Sequence, residues 1–323
     1  MKRWVCHLAA LAAICGSAHA DMPADPITWL ARISSAAHKL NYAGAFTYQS
    51  GKNVENSRIV HMVDGGGGEF EKMEALDGSP REVVRSNEEV QCFLPDQKLL
   101  IVDQSGARRS FPARLPASPS ALAEHYRIRK GDVVRVAGME SQQIILEPKD
   151  EMRYGHQFWA DTTSGLLLKA RLVNEKGESI EQFAFTEVRI GTPFEKDKVK
   201  PRFERTPDWK VVNARGIDVK MEDTGWVFRN TIPGFRQVVS VARQARKERG
   251  EAYHVVFSDG LAAISVFIEP ALPGKHNAQS GMSSSGAINI FRRTVAEHQV
   301  TVLGEVPPQA LVRIADGVEM RKR

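Results

Sequence analysis

The run Leu166-Leu167-Leu168-Lys169-Ala170-Arg171-Leu172-Val173, the spacer Asn174-Glu175-Lys176-Gly177 and the run Ile180-Glu181-Gln182-Phe183-Ala184-Phe185-Thr186-Glu187-Val188-Arg189 decide the fold class. Both runs are rich in β-formers and the spacer in turn formers, so together they read as an antiparallel hairpin. Alternation predicts that Leu166, Leu168, Ala170 and Leu172 share one face. Lys169 and Arg171 then point the other way beside Leu167 and Val173. On the next strand Phe183 and Phe185 alternate with Gln182 and Ala184. One face is richly apolar and the other mixed, as in an antiparallel sheet wet on one side.

On the N-terminal side the spacer Asp161-Thr162-Thr163-Ser164-Gly165 joins this hairpin to a strand at 156–160. Earlier runs predict strands at 42–49, 58–63, 83–86, 90–94, 98–102, 133–136 and 142–147. The four glycines 65–68 cannot be strand interior and read as a flexible loop. Pro112, Pro116 and Pro119 mark an irregular stretch, followed by a short helix over 120–125. Ahead of the strands, Asp25 has the form of an N-cap with Pro26 in the first turn. Ile27, Leu30, Ile33, Ala37 and Leu40 then make one apolar stripe, suited to lying against a sheet. A helix followed by about ten short strands predicts a strongly curved sheet, half-closed round its apolar face.

Residues 191–208, with Pro193, Pro201 and Pro207 and few apolar side chains, read as a linker. A second, smaller α+β unit is expected over 209–323. Its strands are predicted at 235–241, 253–257, 261–269, 288–294 and 299–303, the first ending where basic residues take over from Arg243. Ser258-Asp259-Gly260 is a strong hairpin turn. The glycine- and serine-rich stretch 271–286 reads as a mobile loop. Pro307-Pro308 opens a short helix on which Leu311, Ile314 and Val318 share a face. The chain as a whole is α+β.

Its 323 residues are 42% hydrophobic and 26% charged, which excludes a disordered chain or a coiled coil. Three cysteines exclude a disulfide scaffold. Met1-Lys2-Arg3, an apolar run to Ile14 and Ala18-His19-Ala20 together read as a signal peptide over 1–20, with Asp21 as the mature N-terminus. Ile14 ahead of Cys15 does not fit the small residue that a lipid-anchor site expects there. Loss of residues 1–20 leaves 42 basic and 39 acidic groups and one thiol, Cys92. An exported, soluble protein without an intramolecular disulfide is expected.

Chemistry-bearing motifs are sparse. The histidines after residue 20 are scattered singly, and neither His-x-x-x-His nor Cys-x-x-Cys occurs, so no metal site is expected. The four-glycine run lacks a following Lys-Ser or Lys-Thr, and no Gly-x-Ser-x-Gly surrounds Ser258, Ser284 or Ser285. Cys92, in Val90-Gln91-Cys92-Phe93-Leu94, reads as a buried strand residue. No catalysis and no cofactor are expected. Arg236, Arg243, Arg246, Lys247 and Arg249 against Glu248 form a basic excess, which fits a solvated loop or a patch for lipid headgroups or an acidic partner segment. Export makes nucleic acid an unsuited target.

Several stretches together resemble the RseB/MucB family of periplasmic negative regulators of the envelope-stress sigma factor. They are Asp25-Pro26, Trp29-Leu30, Leu40-Asn41-Tyr42, Gly44, Phe46, Tyr48, Ser57-Arg58-Ile59, His61 and Asp64. Leu76-Asp77-Gly78, Pro80-Arg81-Glu82-Val83, Arg85, Val90, Cys92 and Pro95 continue the pattern. In the second unit Pro233-Gly234-Phe235, Ser258-Asp259-Gly260-Leu261, Ser265-Val266-Phe267 and Gly304-Glu305-Val306-Pro307 fit it. The resemblance implies a larger domain like the half-open barrel of lipoprotein carriers, with a helix on its concave face. The run 158–188 is similar to the closing strands of those carriers.

The resemblance also implies a partner, the periplasmic domain of a membrane-spanning anti-sigma factor, which the family shields from regulated proteolysis. A lipid or lipopolysaccharide signal then weakens that complex, with linker 191–208 as the expected hinge. Candidate lipid-lining residues are Phe46, Tyr48, Val60, Met62, Cys92, Leu168, Leu172, Phe183 and Phe185; the competing reading of each is core packing. Candidate partner-binding residues are Arg243, Arg246, Lys247, Arg249, Phe257 and Phe267. A periplasmic carrier of lipids or lipoproteins is the alternative function. The oligomeric state is left open, a homo-oligomer included.

Overall fold

The computed structural model describes residues 23–104, 115, 119–244, 250–271 and 280–321. The expected signal peptide therefore lies outside the described residues. The chain opens with α1 (Pro26–Lys39), whose N-cap Asp25 accepts the Thr28 N–H at 2.9 Å. Its buried face is Trp29, Leu30, Ile33, Ser34, Ala36 and Ala37. Ile27 and Leu40, expected on that stripe, are only half-buried, and Trp29 is its largest member.

Twelve strands form the first sheet. They are β1 (Tyr42–Ser50), β2 (Asn53–Val63), β3 (Glu69–Ala75), β4 (Glu82–Ser86), β5 (Glu89–Leu94), β6 (Leu99–Gln104), β7 (Tyr126–Val136), β8 (Met139–Pro148), β9 (Gly155–Asp161), β10 (Leu167–Val173), β11 (Ser179–Ile190) and β12 (Lys210–Asn213). Their spatial order is β12-β6-β5-β4-β3-β2-β1-β11-β10-β9-β8-β7. The sheet therefore curls without closing, a half-open barrel with β12 and β7 at its rims. Tight turns set the register: Ala137 and Gly138, between β7 and β8, take φ of +48° and +81°, the positive pair of a two-residue hairpin.

Helix α1 lies on the concave face. Trp29, Leu30 and Ile33 pack with Leu122 of the short helix α2 (Leu122–His125) and with Tyr126, Ile144, Leu146, Phe158, Ala160 and Leu167 of the strands. Each of the three helix side chains is fully buried, which contributes about 2 kcal/mol apiece.

The expected linker is a strap along the opposite face of the sheet. Met62 lies under it and accepts the Glu195 N–H, Phe194 meets Phe70, and Arg202 N–H donates to the Glu82 carboxylate. Phe203 and Trp209 pack on Val84, Phe93 and Leu100. Residues 210–213, expected in the second unit, pair parallel with β6 as the last strand of the first sheet.

The second domain is a sheet ordered β13-β15-β16-β17-β20-β19-β18, with β13 (Ile217–Asp218), β15 (Arg236–Gln244), β16 (Glu251–Ser258), β17 (Ala263–Pro270), β18 (Gly281–Ser285), β19 (Ile288–Val295) and β20 (His298–Gly304). Helix α4 (Pro308–Asp316) covers one face with Ala310, Leu311, Ile314 and Ala315. The short α3 (Met221–Thr224) and the pair β14 (Trp226–Phe228) and β21 (Val318–Met320) complete the core.

The structure departs from expectation at three further places. Val318 belongs to β21, because α4 stops at Asp316 before Gly317. Residues 281–285, expected in a loop, pair with β19; residues 272–279 of that stretch lie outside the described ones. Strand β15 continues past Val241 to Gln244 because Arg243 and Gln244 pair with Ala252 and Glu251. Among the described residues no helix is long and apolar enough to cross a membrane.

Candidate ligand cavity at the domain interface

Cross-strand register assembles an apolar row over the concave face. Tyr48 pairs with Phe183, Phe183 with Ala170, Ala170 with Phe158 and Phe158 with Ile144. A neighbouring row runs through Glu181, Leu172, His156 and Leu146. Between these rows and the second domain lies a cavity of about 350 Å³. Phe46, Tyr48, Met73, Phe158, Leu167, Ala170, Leu172 and Phe183 supply its apolar wall, and Leu261 of the second domain supplies another part. Phe46 and Phe183 lean on each other with ring centroids 4.9 Å apart. The polar margin holds Glu55 ion-paired with Arg81, together with His156, Arg171 and Glu181. Burial, with Glu181 and Glu305 nearby, pushes the Tyr48 phenol well up, so Tyr48 meets a ligand as a neutral amphipathic ring.

Four of the nine lining candidates, Phe46, Tyr48, Leu172 and Phe183, meet at this cavity. The other five do not. Val60 and Met62 alternate with Ile59 and His61 and so face the opposite side of β2, where the strap covers Met62. Cys92, paired with Val83 and Ile101 in β5, sits away from the cavity wall and is half-buried rather than buried. Phe185 lies beneath the wall, edge-on to Phe46 and Tyr42. Leu168 is displaced because the β9–β10 register shifts between Leu167 and Lys169. The bulge turns Leu167 into the cavity and sends Leu168 into the core with Trp159 and Phe185.

Of the partner candidates, Arg246, Lys247 and Arg249 lie outside the described residues. Arg243 is half-buried with a guanidinium nitrogen 3.8 Å from Asp103 of the first domain. Phe257 is in the second domain's core, and Phe267 stacks on His254 with centroids 4.2 Å apart.

Two arrangements had no local signal in the sequence. One is ionic and joins the domains: Arg153 Nε donates to Asp259 at 2.9 Å, with both side chains fully buried. The other lies under the end of α1. Glu69 accepts from Arg85 at 3.0 Å and from His38 at 2.8 Å, Arg85 stands 3.6 Å from Glu71, and His61 stacks on Tyr42. Burial pushes the Glu71 carboxyl up to about 7 against the pull of Arg85. Burial likewise pushes His61 down to about 4, with its Nδ1–H donated to Leu40 O at 2.9 Å.

Among the described residues no cluster of His, Cys, Asp and Glu has the arrangement of a metal site. Comparison with known proteins returns the same lineage for both halves. The MucB/RseB N-terminal domain matches residues 25–203 and the MucB/RseB C-terminal domain residues 220–319. The sigma factor AlgU regulatory protein MucB of Pseudomonas aeruginosa is 31% identical over 302 residues, 92% of this chain and 91% of that protein. The sigma-E factor regulatory protein RseB of Escherichia coli K12 is 25% identical over 90% of this chain and 89% of its own length. The solved Pseudomonas aeruginosa MucA/MucB complex superimposes with a TM-score of 0.71 at 29% identity, over 93% of this chain and 100% of that one. A crystal structure of MucB with the periplasmic part of MucA gives the same TM-score at 28% identity. These relatives are named as regulators rather than enzymes. With both of its domains matched in order, the chain belongs to the MucB/RseB family.

Proposed function

We propose that the chain is a periplasmic regulator that binds the periplasmic domain of a membrane-spanning anti-sigma factor. In this reading it protects that domain from regulated proteolysis and so restrains the envelope-stress sigma factor, until a lipid or lipopolysaccharide releases it. The observation that carries the reading is the match of 93% of the chain to MucB in complex with MucA. The lipid limb is supported by the apolar cavity lined by Phe46, Tyr48, Leu172 and Phe183. An acyl chain entering it gains about 0.8 kcal/mol per buried methylene, less the cost of ordering. Ligand and partner need only prefer different arrangements of the protein for each to weaken the other. In this reading the partner is bound through the basic segment Arg243, Arg246, Lys247 and Arg249 and through the strand that carries Phe267, while Phe257 is taken up by the second domain's core.

The test is a protection assay. The partner's periplasmic domain is exposed to a protease that cleaves it when alone, with and without an equimolar amount of residues 21–323. The expected result is cleavage slowed about tenfold or more, as for a site that is open only when the complex dissociates. Unchanged cleavage would overturn the reading and favour a carrier of lipids or lipoproteins.

A further inference from the structure

We propose that the tip of the β16–β17 hairpin, Ser258-Asp259-Gly260-Leu261, couples filling of the first domain's cavity to the fit between the two domains. The inference rests on the cavity being the lipid site, and extends that reading to how occupancy is transmitted. The tip belongs to the second domain, yet Leu261 is part of the cavity wall and packs on the core that carries Phe158 and Leu167. Two residues earlier stands the buried ionic contact. Asp259 divides its carboxylate between two tasks. Oδ1 accepts the N–H groups of Leu261 and Ala262, both at 2.9 Å, which makes the tip a closed unit. Oδ2 accepts from Arg153 Nε at 2.9 Å and from the Tyr126 hydroxyl at 3.0 Å, both in the first domain.

Arg153 is fixed in turn by Asp150, by the Pro233 carbonyl, and by the rings of Tyr126 and Phe235 at 5.8 and 5.1 Å. Leu261 therefore cannot move far without drawing Asp259 with it. Opening a buried ion pair leaves a charge uncompensated, so the contact is either made or broken rather than gradually stretched. Of the other contacts between the domains, Ala287 N–H to Ser50 and Asn289 to Tyr154 are hydrogen bonds between neutral groups, and the Arg243–Asp103 pair, at 3.8 Å, is longer and only half-buried. A chain-like ligand that fills the cavity best with Leu261 withdrawn then binds the unlatched arrangement more tightly. That difference is what shifts a two-state equilibrium.

The experiment uses residues 21–323 with spin labels at Glu88→Cys and Glu222→Cys, one exposed site in each domain, in a Cys92→Ser background. The probe is dodecylphosphocholine below its micellar concentration, with its binding followed separately by calorimetry. The expected result is a second interdomain distance when the probe binds. D259N should show that distance without probe and bind the probe about tenfold more tightly, a coupling of ordinary size. L261A should bind the probe and keep the original distance; it decides the matter if D259N fails to fold. Binding that leaves the distance unchanged, with D259N equal to the parent in affinity, would overturn the coupling and leave the cavity reading standing. No binding of the probe to any variant would overturn both.

Discussion

Glu71 and His61 lie on paired positions of β3 and β2 and respond to burial in opposite senses. Glu71 keeps its proton in the fold up to about pH 7, whereas the unfolded carboxyl ionises near 4.5, so raising pH between those values removes stability. His61 stays neutral in the fold down to about pH 4, whereas the unfolded ring charges near 6.5, so lowering pH between those values removes stability. Each effect is worth up to about 3 kcal/mol, and they nearly cancel from pH 4.5 to 6.5. Tyr42, Glu69 and Arg85 face both groups, and His38 faces the histidine. Glu71→Gln is therefore expected to expose the histidine slope, with a thermal midpoint that climbs steeply from pH 4 to 6.5 while the parent protein stays nearly flat. Parallel curves for the two proteins would show that Glu71 does not hold its proton. None of this was legible in the sequence, where Glu69 and Glu71 follow a glycine loop and Arg85 has the look of a solvated strand charge. Arg153 and Asp259 hid in the same way, since the partners are 106 residues apart.

At the scale of elements, apolar alternation located most strands, and the helix signals at Asp25-Pro26 and Pro307-Pro308 located both long helices. Strand β3 was missed because Glu-Phe-Glu-Lys-Met-Glu-Ala carries charges on both faces: Glu71 is buried beside Arg85, and Lys72 pairs with Glu74 on the opposite face. The bulge at Leu168 was invisible for a different reason. A run of three leucines alternates equally well in either phase, and only pairing with Ala160 and Trp159 selects one. Close approach of strands also escapes pattern reading. A Cβ on Gly44 would sit 2.3 Å from Glu187 O and 3.0 Å from Val188 Cα, backbone atoms of the β11 partner beside the bulge at Ala45 and Phe46. Gly44→Ala is expected to cost more than about 2 kcal/mol in chemical denaturation, since neither backbone can retreat without losing the pairing. A loss below about 0.5 kcal/mol would mean that β1 and β11 are not held at this register.

At the scale of the molecule, the expected half-open barrel and smaller second domain are the observed ones, while the joint between them differs from a free hinge. The strap fastens residues 194–209 to the outer face, and the second domain reaches back to close the cavity through Leu261. Composition and patterning suggested an apolar cavity; only the three-dimensional arrangement shows that its wall is shared between domains. In the proposed reading an amphiphile in this cavity acts on the joint between the domains, and its binding free energy is expected to be linked to that of the protein partner. The most direct measurement is calorimetric titration of residues 21–323 with the periplasmic domain of the same organism's anti-sigma factor, with and without lipopolysaccharide. The expected result is saturable binding that lipopolysaccharide weakens at least about fivefold, the lower end of ordinary coupling. Partner affinity that stays the same when lipopolysaccharide is bound, or no partner binding by a folded sample, would contradict it.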